Sequence, residues 1–326
     1  MRITFINVGY GDAILFQGEN GYTALLDGGG NLEEEFAGNC FRIRAVDYLQ
    51  KQGITHLNDV IISHIHEDHV CGLEEILRRI PTDRLYVSYF LEPFSSARPL
   101  TPGPQAPRSV VLYTKALNAY CRILQQRIQS GQAIHVLKSG EQLSLTEGLT
   151  ATILGPKPAS IQSYLRRIEQ VFDSESEEEV TRLLGELDAT SNHTSLLIKF
   201  ETAGLSLLAA ADNCPREWGD VPIDLFKNVN VLKLPHHGQK DAVSEQYMQL
   251  MPLEIVVTTS ASDRRYNSAN PEVYERLIAM HQGRAPLRFL FSDEREYPPY
   301  FSQPDGFQAI TLVVDSDKIV PEFIKI

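Results

Sequence analysis

The 326-residue sequence predicts one α/β domain with helices on both faces of a mixed sheet system. Three observations lead to this expectation. Apolar runs of strand length recur in both halves of the chain. Helix-like stretches separate them. Four of the apolar strands end in residues of metal-binding type.

In order, residues 3–8, 13–17 and 22–27 read as short strands, the last two joined by the turn Gly18-Glu19-Asn20-Gly21. A helix over 42–52 follows, with Ile43, Val46, Tyr48 and Leu49 as core candidates and Gly53 as its stop. Residues 58–63 are an apolar strand, and Gly72 to Ile80 is a helix ended by Pro81. The Pro- and Ser-rich stretch 91–109 reads as a surface loop. A helix over 110–130, strands near 133–137 and 150–154, and a helix from about 159 come next. The β pattern resumes at 195–201, 205–211, 229–234 and 255–260. With no sustained repeat, residues 1–326 are expected to form a single domain with a decorated middle at about 91–188.

Composition bounds the function. At 43% apolar residues the chain can bury a full core without disulfides. No apolar run approaches the ~18–20 residues of a membrane span. The start Met1-Arg2-Ile3-Thr4-Phe5 has no apolar signal region, and a cytoplasmic protein without membrane attachment is expected. Cys40, Cys71, Cys121 and Cys214 form no CxxC pair, and Cys71 and Cys214 are expected to be buried reduced thiols. The net charge of −12 argues against a nucleic-acid partner. Half of it, however, lies in residues 173–188, where seven acids face one base in an apparent solvated segment. Two divalent ions would add about four positive charges at the site itself.

The chemistry-bearing signal is His64-Ile65-His66-Glu67-Asp68-His69, directly after Val60-Ile61-Ile62. In an extended segment residues two apart share a face, so His64, His66 and Asp68 converge. Imidazole and carboxylate together suit zinc. Three further apolar strands end in Asp27, in Asp212 and in His236-His237-Gly238, and the carboxyl edge of such sheets is where sites assemble. Asp27, before three glycines, is also readable as a turn residue. His56, His135 and His281 have no metal-ligand neighbours and read as structural or surface residues.

The hexapeptide resembles the HxHxDH signature of the metallo-β-lactamase superfamily. Asn7-Val8-Gly9-Tyr10-Gly11-Asp12-Ala13, Leu25-Leu26-Asp27-Gly28-Gly29, Asn192-His193-Thr194-Ser195, Ala210-Ala211-Asp212 and Leu232-Lys233-Leu234-Pro235-His236-His237-Gly238 resemble, in order, motifs of the hydrolase domain of bacterial competence DNA-uptake proteins. The resemblance covers roughly 1–90 and 190–326. It implies an αββα sandwich of two mixed sheets with helices outside. It also implies a two-ion site: His64 and His66 with His193 on the first ion, and Asp68 and His69 with His236, or His237 in its place, on the second. Asp212 would bridge the ions and Asp27 would orient ligands. Where this branch often has Gly-His-Pro the chain has Ser268-Ala269-Asn270-Pro271, so Asn270 replaces a histidine that contacts substrate and cannot act as an acid. Arg264 and Arg265, just upstream, read as phosphate binders or as a solvated loop.

The implied reaction is metal-assisted hydrolysis of a phosphodiester, by a nuclease or related phosphodiesterase. Water on two divalent ions is activated as hydroxide, with Asp68 taking the proton. Zinc is the expected ion and manganese the second choice; a nucleic acid or another phosphodiester is the expected substrate. Two other readings stay open: hydrolysis of a small ester, lactone or phosphorylcholine-type group, and a metal-bearing adaptor with weak catalysis.

Overall fold

A computed structural model of the chain describes residues 1–38, 41–293, 300–301, 303–315 and 318–326; Cys40 lies outside the described residues. Its strands are β1 (Arg2–Ile6), β2 (Ile14–Gln17), β3 (Thr23–Leu26), β4 (Leu57–Ile62), β5 (Thr82–Val87), β6 (Ile134–Val136), β7 (Gln142–Thr146), β8 (Leu149–Gly155), β9 (Leu197–Thr202), β10 (Leu205–Ala209), β11 (Val231–Lys233), β12 (Ile255–Thr258), β13 (Arg288–Phe291), β14 (Ala309–Asp315) and β15 (Lys318–Ile324). The longer helices are α1 (Ala45–Lys51), α2 (Glu67–Arg79), α3 (Arg108–Gln129), α4 (Pro158–Asp173), α5 (Glu177–Ser191) and α6 (Pro271–Met280).

The strands form two mixed sheets, ordered β15-β14-β1-β2-β3-β4-β5-β6 and β13-β12-β11-β10-β9-β8-β7. Period-2 alternation explains how they stack, because successive strand residues face opposite sides. Ile61 of β4, Leu207 of β10 and Ile255 and Val257 of β12 point into a core between the sheets. Val60 and Ile62 point instead toward a second core under α1 to α5. Leu208, Leu232 and Val256 point toward a third, with Trp218, Phe226, Val273 and Leu277. This is the expected αββα sandwich.

The middle of the chain is built into these layers. β6 completes one sheet and β7 and β8 edge the other. Tyr113, Leu117, Tyr120 and Leu124 of α3 and Leu183, Leu184 and Leu187 of α5 are buried in the helix-side core. The acidic segment is therefore half solvated and half packed. Ser176 caps α5 by accepting from the Glu179 amide (3.3 Å), while Val180, Leu183 and Leu187 form its buried stripe.

One boundary matters for the site. α2 begins at Glu67, not at Gly72, so Asp68 and His69 lie in a first helical turn rather than in an extended segment. Glu67 and Asp68 suit the positive end of the helix, and Arg78 and Arg79 the other end. The helix starts this early because its flank rests on the loop after β3. Gly72 N–H donates to the Gly29 carbonyl (2.8 Å), and Gly28 N–H to the His69 carbonyl (2.8 Å). A Cβ on Gly72 would stand 2.0 Å from the Gly28 oxygen, which only glycine avoids.

Candidate metal centre

β3 and β4 are parallel, as are β10, β11 and β12, so five carboxyl ends meet at one edge of the sandwich. Asp27 follows β3, His64 follows β4, Asp212 follows β10, and the His236-His237 loop follows β11. Buried between them, the Lys233 ammonium pairs with Asp12 and donates to the Ala211 carbonyl (3.1 Å). That pair braces the strand ends with both charges compensated.

Donor atoms converge in two groups, Asp68, His69, Asp212 and His237 in one and His64, His66 and Asp212 in the other. In the first, His69 Nε2 lies 3.3 Å from His237 Nε2 and 3.5 Å from Asp212 Oδ1. His237 Nε2 lies 3.0 Å from Asp68 Oδ2 and 3.3 Å from Asp212 Oδ1. Ligand atoms around a tetrahedral zinc with ~2.0–2.1 Å bonds stand about 3.3–3.4 Å apart, so these separations fit one ion. In the second group His64 Nε2 lies 3.0 Å from His66 Nδ1 and 3.8 Å from Asp212 Oδ2. Asp212 offers one oxygen to each group.

The outer hydrogen bonds explain why the inner nitrogens face one another. The Ser63 hydroxyl donates to Asp27 Oδ2 (2.6 Å) and therefore accepts from His64 Nδ1 (3.0 Å). His69 Nδ1 donates to Asp27 Oδ2 (2.9 Å) and His237 Nδ1 to the Thr259 carbonyl (2.7 Å). His66 Nε2 faces the Asp188 carbonyl (3.3 Å). Imidazoles anchored outward in this way present their remaining nitrogens inward, as metal-ligating histidines do. Among the described residues Asp68 Oδ2 and Asp212 Oδ1 are buried with no hydrogen-bond donor, an expensive arrangement unless a cation satisfies them. The residues present fit a divalent pair.

The protonation balance agrees. Burial opposes ionisation of Asp68 and Asp212, yet the imidazoles of His69 and His237 outweigh it and hold both carboxyls well below the usual range. Burial likewise disfavours charge on His69, but Asp68 and Asp212 push its pKa well up. For His64, burial and then the His69 and His66 rings push it well down. The carboxylates thus draw positive charge into the cluster, a demand that a cation meets in place of a proton. Burial pushes the Asp27 carboxyl upward, against the His69 and Ser63 donors that lower it. Asp27 is no simple turn residue. Although φ is +56°, it is fully buried and also accepts from the Ser63 amide (2.8 Å). Asp27→Asn is expected to weaken metal binding by ~10–100-fold, the usual cost of an outer-shell change, with the fold kept. Competition with a chelator measures this, and unchanged affinity would return Asp27 to a turn role.

Several expected site residues are placed elsewhere. His236 does not join the main cluster: its Nδ1 faces Asp241 Oδ1 (3.1 Å) and Cys214 Sγ (3.8 Å). His237 stands in its place, because both residues take left-handed backbone (φ 48° and 52°) and the loop turns them to opposite sides. His193 turns outward onto Arg216 (2.7 Å), since the short 3₁₀ turn after α5 points Asn192 into the cleft instead. Asn270 is the N-cap of α6, its Oδ1 accepting from the Glu272 amide (3.1 Å), with Pro271 next. Its residue type answers to the helix. Arg265 lines the cleft, but its guanidinium is matched by Asp263 (2.7 Å) and Glu35; Arg264 is exposed and outside the lining. His56 pairs with Asp83, exposed His135 lies against the Tyr86 ring, and buried His281 donates to the Leu277 carbonyl, all apart from the centre.

The cleft over the centre holds about 350 Å³. Its floor includes His66, Asp68, Asp212 and His236; Tyr10, Leu32, Leu112, Tyr113 and Tyr266 supply apolar wall. Among the lining residues that sequence reasoning did not assign to the site are Tyr10, Asn192 and Asp188, the last hidden in the acidic run. The Tyr10 ring lies 4.4 Å from that of His237. Burial, then the Asp68 and Asp212 carboxylates, push its phenol well up, so it stays a hydrogen-bond donor. Gly11 beside it is needed because a Cβ there would stand 2.3 Å from the Asp68 carbonyl.

The sequence profile of the metallo-beta-lactamase superfamily matches residues 6–258. ComE operon protein 3 of Bacillus subtilis (strain 168) is 22% identical over 306 residues, which is 90% of this chain and 32% of that protein. The chain thus spans about a third of the length of that relative. A solved diphosphatase of the PhnP family shows 10% identity and a TM-score of 0.43, over 90% of this chain and 95% of its own. A long-form RNase Z from yeast shows 10% identity and a TM-score of 0.40, over 90% of this chain and 36% of its own.

Proposed function

The chain belongs to the metallo-β-lactamase superfamily as a metal-dependent hydrolase, and on that premise we propose that its substrate is a phosphodiester. The observation that carries this reading is the pair of donor groups sharing Asp212. His64 and His66 would hold one ion, Asp68, His69 and His237 the other, with zinc first and manganese second in order of expectation. Two such ions, when bound, activate a water and offset charge on the attacked and leaving oxygens.

The chain's own residues divide the remaining work. The Asp68 carboxylate, at the cleft floor, accepts the proton of the attacking water. Asp27, Ser63 and the Thr259 carbonyl hold the imidazoles in orientation. Tyr10 keeps its proton beside the floor and donates a hydrogen bond to the substrate from Oη. Arg265, already matched by acids, adds little free charge, so recognition of the phosphate falls on the centre itself. The resemblance of its motifs to those of the hydrolase domain of competence DNA-uptake proteins supports a nucleic-acid substrate over a β-lactam.

The apolar wall of Tyr10, Leu32, Leu112, Tyr113 and Tyr266 favours a second reading, a small ester or lactone with an apolar group. Side-by-side kcat/KM values for a bis-aryl phosphate, DNA, an aryl ester, a lactone and a β-lactam, with zinc and with manganese, separate them. The bis-aryl phosphate is expected to lead, with DNA slower. Faster ester or lactone cleavage would overturn the substrate and leave the centre standing. No turnover by fully metallated protein would turn the reading toward an adaptor.

A further inference from the structure

Beyond the two donor groups of the centre, another set of side chains converges among the described residues. Cys214 Sγ, His236 Nδ1 and an Asp241 carboxylate oxygen all lie within 4.8 Å of one another. Sγ stands 3.8 Å and Oδ1 3.1 Å from the same imidazole nitrogen. Around a tetrahedral zinc, bonds of ~2.3 Å to sulfur and ~2.0–2.1 Å to nitrogen and oxygen place these atoms about 3.4–3.6 Å apart. Because thiol and carboxylate address one nitrogen, the set is not a nucleophile–base–orienter relay, in which they would occupy opposite edges of the ring.

The far edge of the ring supplies an independent sign. The Asn192 and Gln239 amides place their nitrogens 3.2 Å and 2.9 Å from His236 Nε2, and Asn192 Oδ1 is buried without a hydrogen-bond partner among the described residues. Turned over by half a turn, the Asn192 amide would accept from Nε2–H through Oδ1, ending that vacancy. This is the tautomer in which Nδ1 is free for a cation, with the outward N–H held by an oxygen as metal-ligating histidines require. Cys214 is buried, whereas His236 and Asp241 reach solvent, with side chains 20% and 38% exposed. A fourth position is therefore open to water.

From these contacts we infer that Cys214, His236 and Asp241 form a separate site for a zinc-class divalent cation, which clamps the turn after Asp212 to the loop that carries His237. The thiolate is the donor that favours zinc over magnesium or calcium. Its ion joins the two segments that deliver Asp212 and His237 and holds His236 in its left-handed conformation, which costs a non-glycine residue energy.

Cobalt titration of the metal-free full chain tests this, because a cysteine thiolate on cobalt absorbs in the near ultraviolet and imidazole or carboxylate ligands do not. The expected result is three bound equivalents with a thiolate band. Cys214→Ala should remove the band and one equivalent, leaving two. Asp241→Asn, which keeps the thiol, should bind that equivalent on the order of 10-fold or more weakly. A His64→Ala/His69→Ala protein should lose cobalt from the main centre and keep the band, so failure of the two-ion reading is distinguishable from failure of this one. Absence of the band, or its persistence in Cys214→Ala, would overturn the site and leave His236 and Asp241 as an ordinary ion pair.

Discussion

Asp212→Ala should strip metal from both halves of the centre and abolish hydrolysis, the largest effect of any single substitution here. Its Oδ1 faces His69 and His237 and its Oδ2 faces His64, so among the described residues no other side chain belongs to both donor groups. The loss in affinity should exceed the ~10–100-fold expected of the outer carboxylate Asp27. Misfolding is separable from ligand loss. Asp212 Oδ1 is buried with no hydrogen-bond donor among the described residues, so the metal-free variant should unfold no more readily than the metal-free parent. Added zinc should then stabilise the parent more than the variant, whose main centre is empty, a filled site contributing about 4 kcal/mol at a thousandfold excess over Kd. Elemental analysis and thermal unfolding with and without zinc check both parts. A variant that retained two ions would remove Asp212 from the centre.

His237→Ala and His236→Ala should behave as opposites despite being neighbours. His237 is fully buried, with Nδ1 on the Thr259 carbonyl and Nε2 toward Asp68 and Asp212. Its removal deprives one ion of a ligand and should cost both that ion and turnover. His236→Ala touches Asp241, Cys214 and Asn192 and should leave the two-ion centre filled. Hydrolysis should persist in it with a modest loss from the slackened loop. Metal content and kcat/KM for the two proteins decide the matter. The reverse ranking would mean that the loop turns its histidines the other way.

Much of this was legible in the sequence because it depended on local pattern. Continuous apolar runs marked β4, β10 and β12, and the carboxyl ends of β4 and β10 located the centre before any fold was known. His64, His66, Asp68, His69 and Asp212 were nameable for the same reason: donor types crowded at strand ends have few structural explanations. The start of α2 was not legible, since His66-Glu67-Asp68-His69 reads equally as strand or helix. The loop after β3, packing on Gly72, decided it.

Ring direction lay further out of reach. Two adjacent histidines in left-handed backbone, a 3₁₀ turn that exchanges Asn192 for His193, and an asparagine drawn into capping α6 all depend on φ and ψ values imposed by neighbours distant in the chain. Asp188 and Tyr10 were hidden because one sits in an acidic run and the other in a glycine turn, neither a pattern that announces a cleft. The sequence by itself determined an α/β domain with a mixed sheet system and the edge at which its donors gather, since apolar runs and donor chemistry are properties of short segments, while the sandwich and the family were implied by the resemblance of its motifs. Only the tertiary structure decided which of two neighbouring histidines enters the centre, because a ligand's direction is set by the outward hydrogen bond that anchors its ring, and those anchors come from other strands.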